Sequence, residues 1–268
     1  MPRLLKKQDD AASSGASARA PEFLEVLARG LKVIDCFRDQ RHPMTLSDVA
    51  SAVGIPRATA RRALLTLVEL GFVQSQGRFF TLTPRVLTLA SAYLSSAIIP
   101  TVMQPIVERV SAEVGEACSA AVLDGDDVVF VARANPQRII SVGLEIGYRL
   151  PATSTAVGRV LLSGLSDTEL DEHLRRADPK RFTAHTIVNR TALKNAILTT
   201  RSSGYSIVDQ EVEQGFRSLA VPVENIHGRI SCALHIGTHV VNATLDATSD
   251  ALLPTLRAAA RHASPMLL

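Results

Sequence analysis

The sequence lacks the motifs by which many enzymes and metalloproteins are known. It has no Gly-x-Ser-x-Gly elbow, no His-Glu-x-x-His metal helix and no glycine-rich nucleotide loop. Its seven histidines show no established ligand spacing. These absences argue against a hydrolase, a zinc enzyme and a nucleotide-dependent enzyme. We therefore expect neither a metal nor an organic cofactor.

Cysteine and long apolar runs are also scarce. Cys36, Cys118 and Cys232 lie far apart in apolar segments, which predicts reduced, buried thiols rather than a disulfide framework. No uninterrupted apolar stretch is long enough to cross a bilayer. The N-terminus has no basic segment followed by an apolar one, as a secretory leader has. We therefore expect a cytoplasmic protein without a membrane partner.

The 268 residues carry a net charge of only +3, with 46% hydrophobic content, which favours two folded domains. The charge is unevenly placed. Residues 23–97 hold nine Lys or Arg against five Asp or Glu, whereas residues 98–268 hold sixteen against eighteen. The basic excess therefore lies in the first third of the chain, as expected if that part binds nucleic acid.

The segment between residues 45 and 82 has the pattern of a winged helix-turn-helix. Thr45 followed by Asp48 predicts a capped helix, and Gly54 is the left-handed residue that ends it. Its apolar stripe recurs at helical spacing and consists of Leu46, Val49, Ala50 and Val53. Pro56 suits the first position of a second helix, which ends near Gly71.

The second helix is the predicted recognition helix because its polar side leads with arginine. Arg61 and Arg62 project there, and a guanidinium pairs with guanine or with phosphate. The short strands Val73–Ser75 and Phe79–Leu82 flank Gln76-Gly77 and form the predicted wing. The predicted DNA contacts are Arg57, Ala58, Thr59, Arg61, Arg62 and Arg78. The alternative is that Arg61 and Arg62 only form a solvated face.

These patterns divide the chain into four predicted segments. Residues 1–22 have no periodic apolar face and are predicted to be a mobile arm, and residues 23–83 hold the DNA-binding module. A linker helix at residues 84–97 is apolar over more than half of its surface, so we predict that it packs against its equivalent in a second chain. Residues 98–268 form the remaining domain.

The C-terminal domain is predicted to be α+β, with an antiparallel sheet backed by helices. A hairpin is predicted where Ala117–Leu123 and Val128–Ala132 flank Asp124-Gly125-Asp126-Asp127. Further predicted strands are Ile139–Ile146, Tyr205–Asp209, Ser218–Val223 and Ile230–Ile236. Predicted helices run from about Pro105 to Val114 and begin near Thr155, Ser166 and Thr191, with a last one after Ser249.

Two stretches of this domain suggest a binding site. Leu150 to Gly158 carries hydroxyls and small residues into a helix N-terminus, whose bare amides favour a carboxylate. The alternative is that Ser154 and Thr155 merely cap that helix. In the second stretch, from Asp209 to Ser218, three acids follow a strand, and acidic clusters are usually solvated loops.

Taken together, these stretches resemble the IclR family of bacterial transcriptional regulators. The resemblance runs from about Phe23 to the C-terminus and includes the winged module, the run from Leu150 to Gly158, and the Gly204-Tyr205 segment with Asp209, Glu211, Gly215, Ser218, Ala220 and Pro222. Within the family the chain looks most like the branch of PcaR, PcaU and PobR. Those regulators control the breakdown of protocatechuate, 4-hydroxybenzoate and β-ketoadipate.

The resemblance implies a dimer or tetramer that binds a double-stranded DNA operator, and a GAF-like domain that holds a small carboxylic acid. The effector contacts that it implies comprise apolar walls, hydroxyls, amide donors, an acidic pair and a histidine. They are Ile139, Val142 and Leu150; Ser218; Ala156 and Val157; Asp209 and Glu211; and His235. Ser154 and Thr155, from the run before the helix, complete the predicted effector contacts. The two acids match the family's signature, although shaping the loop is an alternative role for them.

The chain departs from the wider family at His235 and Gly237, where hydroxyl residues often stand. A histidine there is expected to donate to a phenolic oxygen or a carboxylate, and its charge near neutral pH predicts pH-sensitive binding. The alternative is a core imidazole bonded to backbone. Arg133 and Arg138 are candidates for pairing with a second carboxylate, with solvated surface charge as the alternative.

The leading hypothesis is an effector-responsive DNA-binding regulator that acts by population shift and is not an enzyme. A rival hypothesis is a hydrolase in which Ser154 or Ser218 acts with His235 and Asp209. A third is a constitutive, architectural DNA-binding dimer that has no effector.

Overall fold

The computed structural model describes residues 22–38, 40, 42–135, 145–242 and 244–267. The chain divides into two units, Met1–Ala90 and Ser91–Leu268. Among the described residues, no single helix is long and apolar enough to span a membrane. Only the pair Pro84–Ser96 and Ile98–Val114, bent by 84°, reaches that length and composition together.

The first unit contains a helix-turn-helix and a small antiparallel sheet. Its helices are α1 (Glu25–Asp35), α2 (Leu46–Val53) and α3 (Arg57–Glu69). Its strands are β1 (Met44–Thr45), β2 (Val73–Gln76) and β3 (Phe79–Leu82), in the order β1-β3-β2. The helices bury a common core that includes Val33, Val49, Leu64, Leu67 and Val73. This core holds α3 with its opposite side in solvent.

Local chemistry sets the ends of α2 as the sequence predicts. The Asp48 amide donates to the Thr45 hydroxyl (3.3 Å), and the Thr45 amide donates to the Asp48 carboxylate (2.8 Å), which completes a capping box. Gly54 ends the helix with φ 69°. Pro56 is the residue before the first turn of α3, one position earlier than predicted.

The wing differs from the prediction by one residue. Gln76 pairs with Phe79, so the turn consists of Gly77 and Arg78 rather than Gln76 and Gly77. Gly77 has φ 61°, a conformation that a two-residue hairpin turn requires and glycine adopts without strain. Strand β1 was not predicted, because two residues are too short to show a period. The result places Arg78 within the turn itself.

The linker helix is α4 (Leu87–Ser96), preceded by a 3₁₀ turn at Pro84–Val86. The Thr83 hydroxyl accepts from the Arg85 amide at 3.2 Å and so marks where this helical segment begins. Leu87, Leu89 and Tyr93 of α4 are each about half exposed or more (63%, 52% and 47%). The apolar surface predicted for this helix is therefore present.

The second unit contains an antiparallel sheet between helical layers. In the described residues its strands are β4 (Ala117–Asp124), β5 (Asp127–Ala134), β6 (Arg149–Pro151), β7 (Ser206–Asp209), β8 (Phe216–Glu224) and β9 (Ile230–His239), ordered β6-β5-β4-β9-β8-β7. The helices are α5 (Ile98–Val114), α6 (Ala156–Ser163), α7 (Asp167–Arg176), α8 (Arg190–Ser203) and α9 (Leu245–Ala263). This confirms the α+β class and the antiparallel sheet.

The two faces of the sheet bury separate cores. Helices α5 and α9 cover one face, where Cys118 and Leu234 are fully buried. Helix α6, backed by α7 and α8, covers the other face with Ala121, Phe130 and Ala220. Successive side chains of a strand point to opposite faces of the sheet, so each strand side chain belongs to one of the two cores. The candidate site lies on the face that α6 covers.

Several predicted boundaries in this unit were wrong. Helix α5 begins at Ile98, seven residues before the predicted start, and contains Pro105 in its interior because the helix packs along the sheet on both sides of that residue. Helix α9 begins at Leu245, capped by Thr244, rather than after Ser249. Strand β6 was missed because it is only three residues long. The predicted strand Ile139–Ile146 lies mostly outside the described residues.

Candidate functional site

The exposed side of α3 and the wing turn form a basic surface. Arg57, Arg61, Arg62 and Arg78 are exposed, and Thr59 is half-buried beside them. Within the described part of the chain, the side chains of Arg57, Arg61 and Arg62 form no ion pair or hydrogen bond. Their guanidinium groups are therefore available to a phosphate or a base edge.

Small and apolar groups accompany these arginines. Ala58 is exposed in the first turn of α3, and Leu65 is 48% exposed farther along the helix. The Arg78 guanidinium lies 5.1 Å from the centroid of the Phe79 ring. A side chain stacked on a ring is held in one direction, which positions its charge at the wing turn. All six predicted DNA contacts thus lie at or near the surface of the first unit.

In the second unit, a row of side chains crosses four strands on the face that α6 covers. Ser119 of β4 pairs with Arg133 of β5 on one side and with His235 of β9 on the other. His235 in turn pairs with Ala220 of β8. The Arg133 Nη1 atom lies 3.5 Å from the Ser119 hydroxyl. The register therefore brings a cation, a hydroxyl and an imidazole side by side.

The first turn of α6 lies over this face. Ala156 and Val157 are buried there, packed in the same core as Phe130 and Ala220. The Thr155 hydroxyl accepts from the Gly158 amide at 3.0 Å, so Thr155 caps the helix. The amides of Ala156 and Val157 are the first of the helix, a position whose N–H groups have no acceptor inside the helix itself. The capping alternative thus holds for Thr155.

Ser154 behaves differently from Thr155. It is completely buried, and its hydroxyl oxygen has no hydrogen-bond partner within the described residues. The Arg133 Nε and His235 Nδ1 atoms share this property, and the remaining such side-chain atom in the described residues is the His173 Nε2 atom on α7. Native proteins leave few buried polar groups without a partner. Arg133 and His235 lie on the sheet face that α6 covers, and Ser154 lies two residues before α6, so the three unpartnered groups border the same layer of the second unit.

The charge state of His235 differs from the prediction. Burial and the positive charge of Arg133 lower the pKa of His235 from its ordinary value of 6.5 to about 3. The imidazole is therefore neutral at neutral pH, and the expectation of a charge change near pH 7 was wrong. Its ring also lies 6.0 Å from the Phe130 ring in an edge-to-face arrangement.

Arg133 is part of this site rather than a solvated surface residue. It is half-buried, and burial lowers its pKa while nearby Glu145 acts in the opposite direction. Ser218 is buried and pairs with Gly237, and Leu150 packs partly buried against the core beneath α6. The remaining predicted contacts, Ile139, Val142 and Arg138, lie outside the described residues.

The two predicted acidic contacts are engaged elsewhere. The Glu211 carboxylate accepts from the Arg159 guanidinium at 2.8 Å and from the Ile187 amide at 2.9 Å, and both side chains of the ion pair are buried. The Asp209 carboxylate accepts from the Arg217 guanidinium at 2.9 Å. The structure thus favours the alternative that these acids shape the loop.

The hydrolase alternative is not supported by this arrangement. A triad requires the acid to accept from one imidazole nitrogen while the other nitrogen faces the nucleophile. Asp209 instead contacts Arg217, and the His235 Nδ1 atom has no partner in the described residues. Ser218 and His235 are also not directly opposite each other in the sheet, since their cross-strand partners are Gly237 and Ala220.

Some site residues have no signal in a single sequence. Ser119 and Phe130 enter the site only through the register of the β4–β5 hairpin and of β4 with β9. Arg159 was missed because its partner Glu211 is 52 residues away. The hairpin turn was predicted, but it does not fix which residues of β4 and β9 face each other. The observed strand pairing shows which residues of β4, β5 and β9 lie opposite each other.

The unusual pKa of His235 predicts an acid-sensitive second unit. The unfolded chain takes up this proton below about pH 6.5, whereas the folded chain does so only near pH 3. The free energy of unfolding should therefore decrease as the pH falls from 6.5 toward 3. His235→Gln, which cannot titrate, should flatten that decrease in urea titrations at pH 7 and pH 5. The exposed His239→Gln is the control, and equal pH dependence in both variants would contradict the assignment.

The first unit has the fold of a winged DNA-binding module, and the second is an α+β domain with buried polar groups that have no partner in the described residues. The model for the IclR helix-turn-helix domain matches residues 26–77. The model for the bacterial transcriptional regulator IclR C-terminal domain matches residues 91–265. The chain belongs to the IclR family of bacterial transcriptional regulators, as predicted.

Relatives place the chain within this family. It is 43% identical to the Pca regulon regulatory protein of Pseudomonas putida over 90% of this chain and 83% of the relative. A crystal structure of a transcriptional regulator from Rhodococcus is 47% identical, with a TM-score of 0.80 over 91% of this chain and 98% of that chain. An IclR homologue from Microbacterium hydrocarbonoxydans, solved with 4-hydroxybenzoate, is 25% identical, with a TM-score of 0.76 over 91% and 99%. The predicted branch is thereby confirmed.

Proposed function

We propose that this protein is a cytoplasmic transcriptional regulator of an aromatic-acid catabolic operon, controlled by a small carboxylic acid and without catalytic activity. The observation that carries the proposal is the set of three unpartnered buried groups on Arg133, Ser154 and His235, in a chain that also has a winged module. A buried polar group without a hydrogen-bond partner lowers the stability of the fold, and a polar ligand that bonds to it removes this cost.

The DNA half of the proposal rests on the exposed arginines of α3. Arg61 and Arg62 point into solvent from a helix whose opposite side is fixed in a core, as a helix inserted in the major groove requires. Arg57 and Arg78 flank them and suit phosphates. We propose that these residues, with Ala58 and Thr59, contact the operator.

The effector half rests on the chemistry of the buried site. The amides of Ala156 and Val157 and the Ser154 hydroxyl are suited to a carboxylate at the positive end of α6. The neutral imidazole of His235 is suited to a phenolic hydroxyl, and Arg133 to a second anionic group. The homologue solved with 4-hydroxybenzoate and the Pca regulon relative support an acid of this class.

Signal transmission requires a pair of winged modules, because an operator with two half-sites is read by a symmetric protein. The exposed apolar side chains of Leu87, Leu89 and Tyr93 on α4 suit contact with a second copy. We propose a homodimer or tetramer joined in part through α4. The acid binds one arrangement of the effector domains better and thereby shifts the population of DNA-binding forms.

Calorimetric titration of the full-length protein tests the effector site. Wild-type protein should bind at least one of protocatechuate, 4-hydroxybenzoate, β-ketoadipate and muconate. Ser154→Ala should weaken that binding by about 10-fold, because one hydrogen bond is worth roughly 1 to 1.5 kcal/mol. The control is Ser163→Ala at the other end of α6, whose hydroxyl donates to the Val160 carbonyl. Unchanged affinity in Ser154→Ala would contradict the proposed carboxylate position.

A further inference from the structure

Phe216 is a residue of the site face that the proposed effector contacts do not include. It begins β8, and strand alternation places it on the same face as Ser218 and Ala220. Ala220 belongs to the core beneath α6, whereas Leu219 belongs to the opposite core. The Phe216 ring therefore lies on the side of the sheet that carries His235.

The Phe216 ring occupies the space above Gly237. A Cβ atom built on Gly237 would lie 2.5 Å from the ring Cζ atom and 3.0 Å from Cε2, and any side chain there would force the ring to move. Gly237 does not have the left-handed φ that favours glycine on backbone grounds. The position of the Phe216 ring therefore requires a residue without a side chain at position 237.

This seat places the ring beside the imidazole of His235. The same Cβ position on Gly237 lies 3.4 Å from the His235 Cε1 atom. On its outer side, the Phe216 ring meets the His239 ring edge to face, with centroids 6.3 Å apart. The Phe130 ring also lies 6.0 Å from the His235 ring. The Phe130 ring therefore neighbours the imidazole directly, and the Phe216 ring borders the same space above Gly237 as the imidazole does.

We infer that Phe216, seated on Gly237, is the residue that limits the size of the acid that reaches His235. The inference rests on the proposed function and adds a determinant of selectivity to it. The Phe216 ring and the His235 Cε1 atom border the same position above Gly237, so a ligand group that bonds the neighbouring, unpartnered Nδ1 atom approaches the ring. The hydroxyl of a flat aromatic ligand fits between the Phe216 ring and His235. A bulky substituent next to that hydroxyl would instead contact the Phe216 ring.

The inference is tested by comparing two ligands that differ by one group, 4-hydroxybenzoate and its 3-methoxy derivative, on the full-length protein. Phe216→Ala should shift the ratio of their Kd values toward the methoxy compound by about 10-fold or more, the range by which pockets discriminate a small apolar group. Phe182→Ala, which truncates a half-exposed phenyl group in the same unit, is the control.

A second pair of variants tests the contact between the Phe216 ring and Gly237. Gly237→Ala should weaken 4-hydroxybenzoate binding, because the new methyl group displaces the ring. Phe216→Leu combined with Gly237→Ala should restore binding, because leucine lacks the Cζ and Cε atoms that clash. Melting temperatures should follow the same order, with the double variant above Gly237→Ala.

The outcomes separate this inference from the proposed function. If the wild type binds neither acid nor any other carboxylate, both fail. If the wild type binds but Phe216→Ala changes both Kd values by the same factor, the selectivity role is overturned while the effector site stands. If the double variant is no better than Gly237→Ala in binding and in melting temperature, the seat is overturned.

Discussion

Replacing Arg61 and Arg62 together by alanine is expected to reduce operator affinity by about 100-fold or more, since each arginine that reads a base contributes roughly 1–3 kcal/mol. Both side chains are exposed on α3 and form no ion pair within the described residues. Their loss should leave the fold intact, because the core of the first unit uses the other side of the helix. Fluorescence anisotropy on labelled operator and random DNA measures the effect.

The comparison of the two DNAs decides what each arginine does. A loss on the operator alone indicates base reading, whereas an equal loss on both with a shallower salt dependence indicates phosphate contact. Arg38→Ala is the matched control, because Arg38 is exposed in the same unit and pairs with Asp35. An unchanged affinity for both DNAs in the double variant would show that α3 does not enter the groove.

Replacing Glu211 by glutamine is expected to destabilise the second unit by about 3–5 kcal/mol, because it leaves the buried Arg159 guanidinium without its counter-charge. The two side chains are only 4% and 7% exposed, and Glu211 also accepts from the Ile187 amide. Arg159 lies on α6, so the ion pair anchors the helix whose first turn forms the effector site. Urea unfolding measures the loss.

The control for this prediction is Glu172→Gln, an exposed carboxylate on α7 that pairs with Arg175 and Arg176 in solvent. Surface pairs of this kind contribute at most about 1 kcal/mol. If Glu211→Gln and Glu172→Gln lower the free energy of unfolding equally, the ion pair is not structural. In that case the earlier prediction, in which Glu211 contacts the effector directly, becomes the better explanation.

The DNA-binding module could be predicted almost entirely from the sequence because its signals are local. The cap at Thr45, the stop at Gly54 and the hairpin glycine at Gly77 each act within a few residues, and the structure has them all. The boundary errors are also local in origin. Pro105 predicts a helix start, but the packing of α5 on the sheet maintains the helix through this residue.

The effector site was predicted only in part because it depends on pairing between distant strands. Ser154 was identified from the hydroxyl run before a helix and His235 from the family resemblance, but their shared lack of partners is visible only in the fold. Arg133 joins them through the β4–β5 register, and burial beside it lowers the pKa of His235. Phe216 and Gly237 are two residues of ordinary type whose contact is set by the pairing of β8 with β9.

The central claim is that one chain couples operator binding to occupancy of the buried site by a carboxylic acid. The most direct test measures the affinity of the full-length protein for its operator with and without the acid that calorimetry identifies, in the wild type and in Ser154→Ala. The account predicts that the acid changes the wild-type affinity, and that Ser154→Ala binds the operator normally but needs about 10-fold more acid for the same change. An operator affinity that no bound acid alters would contradict it.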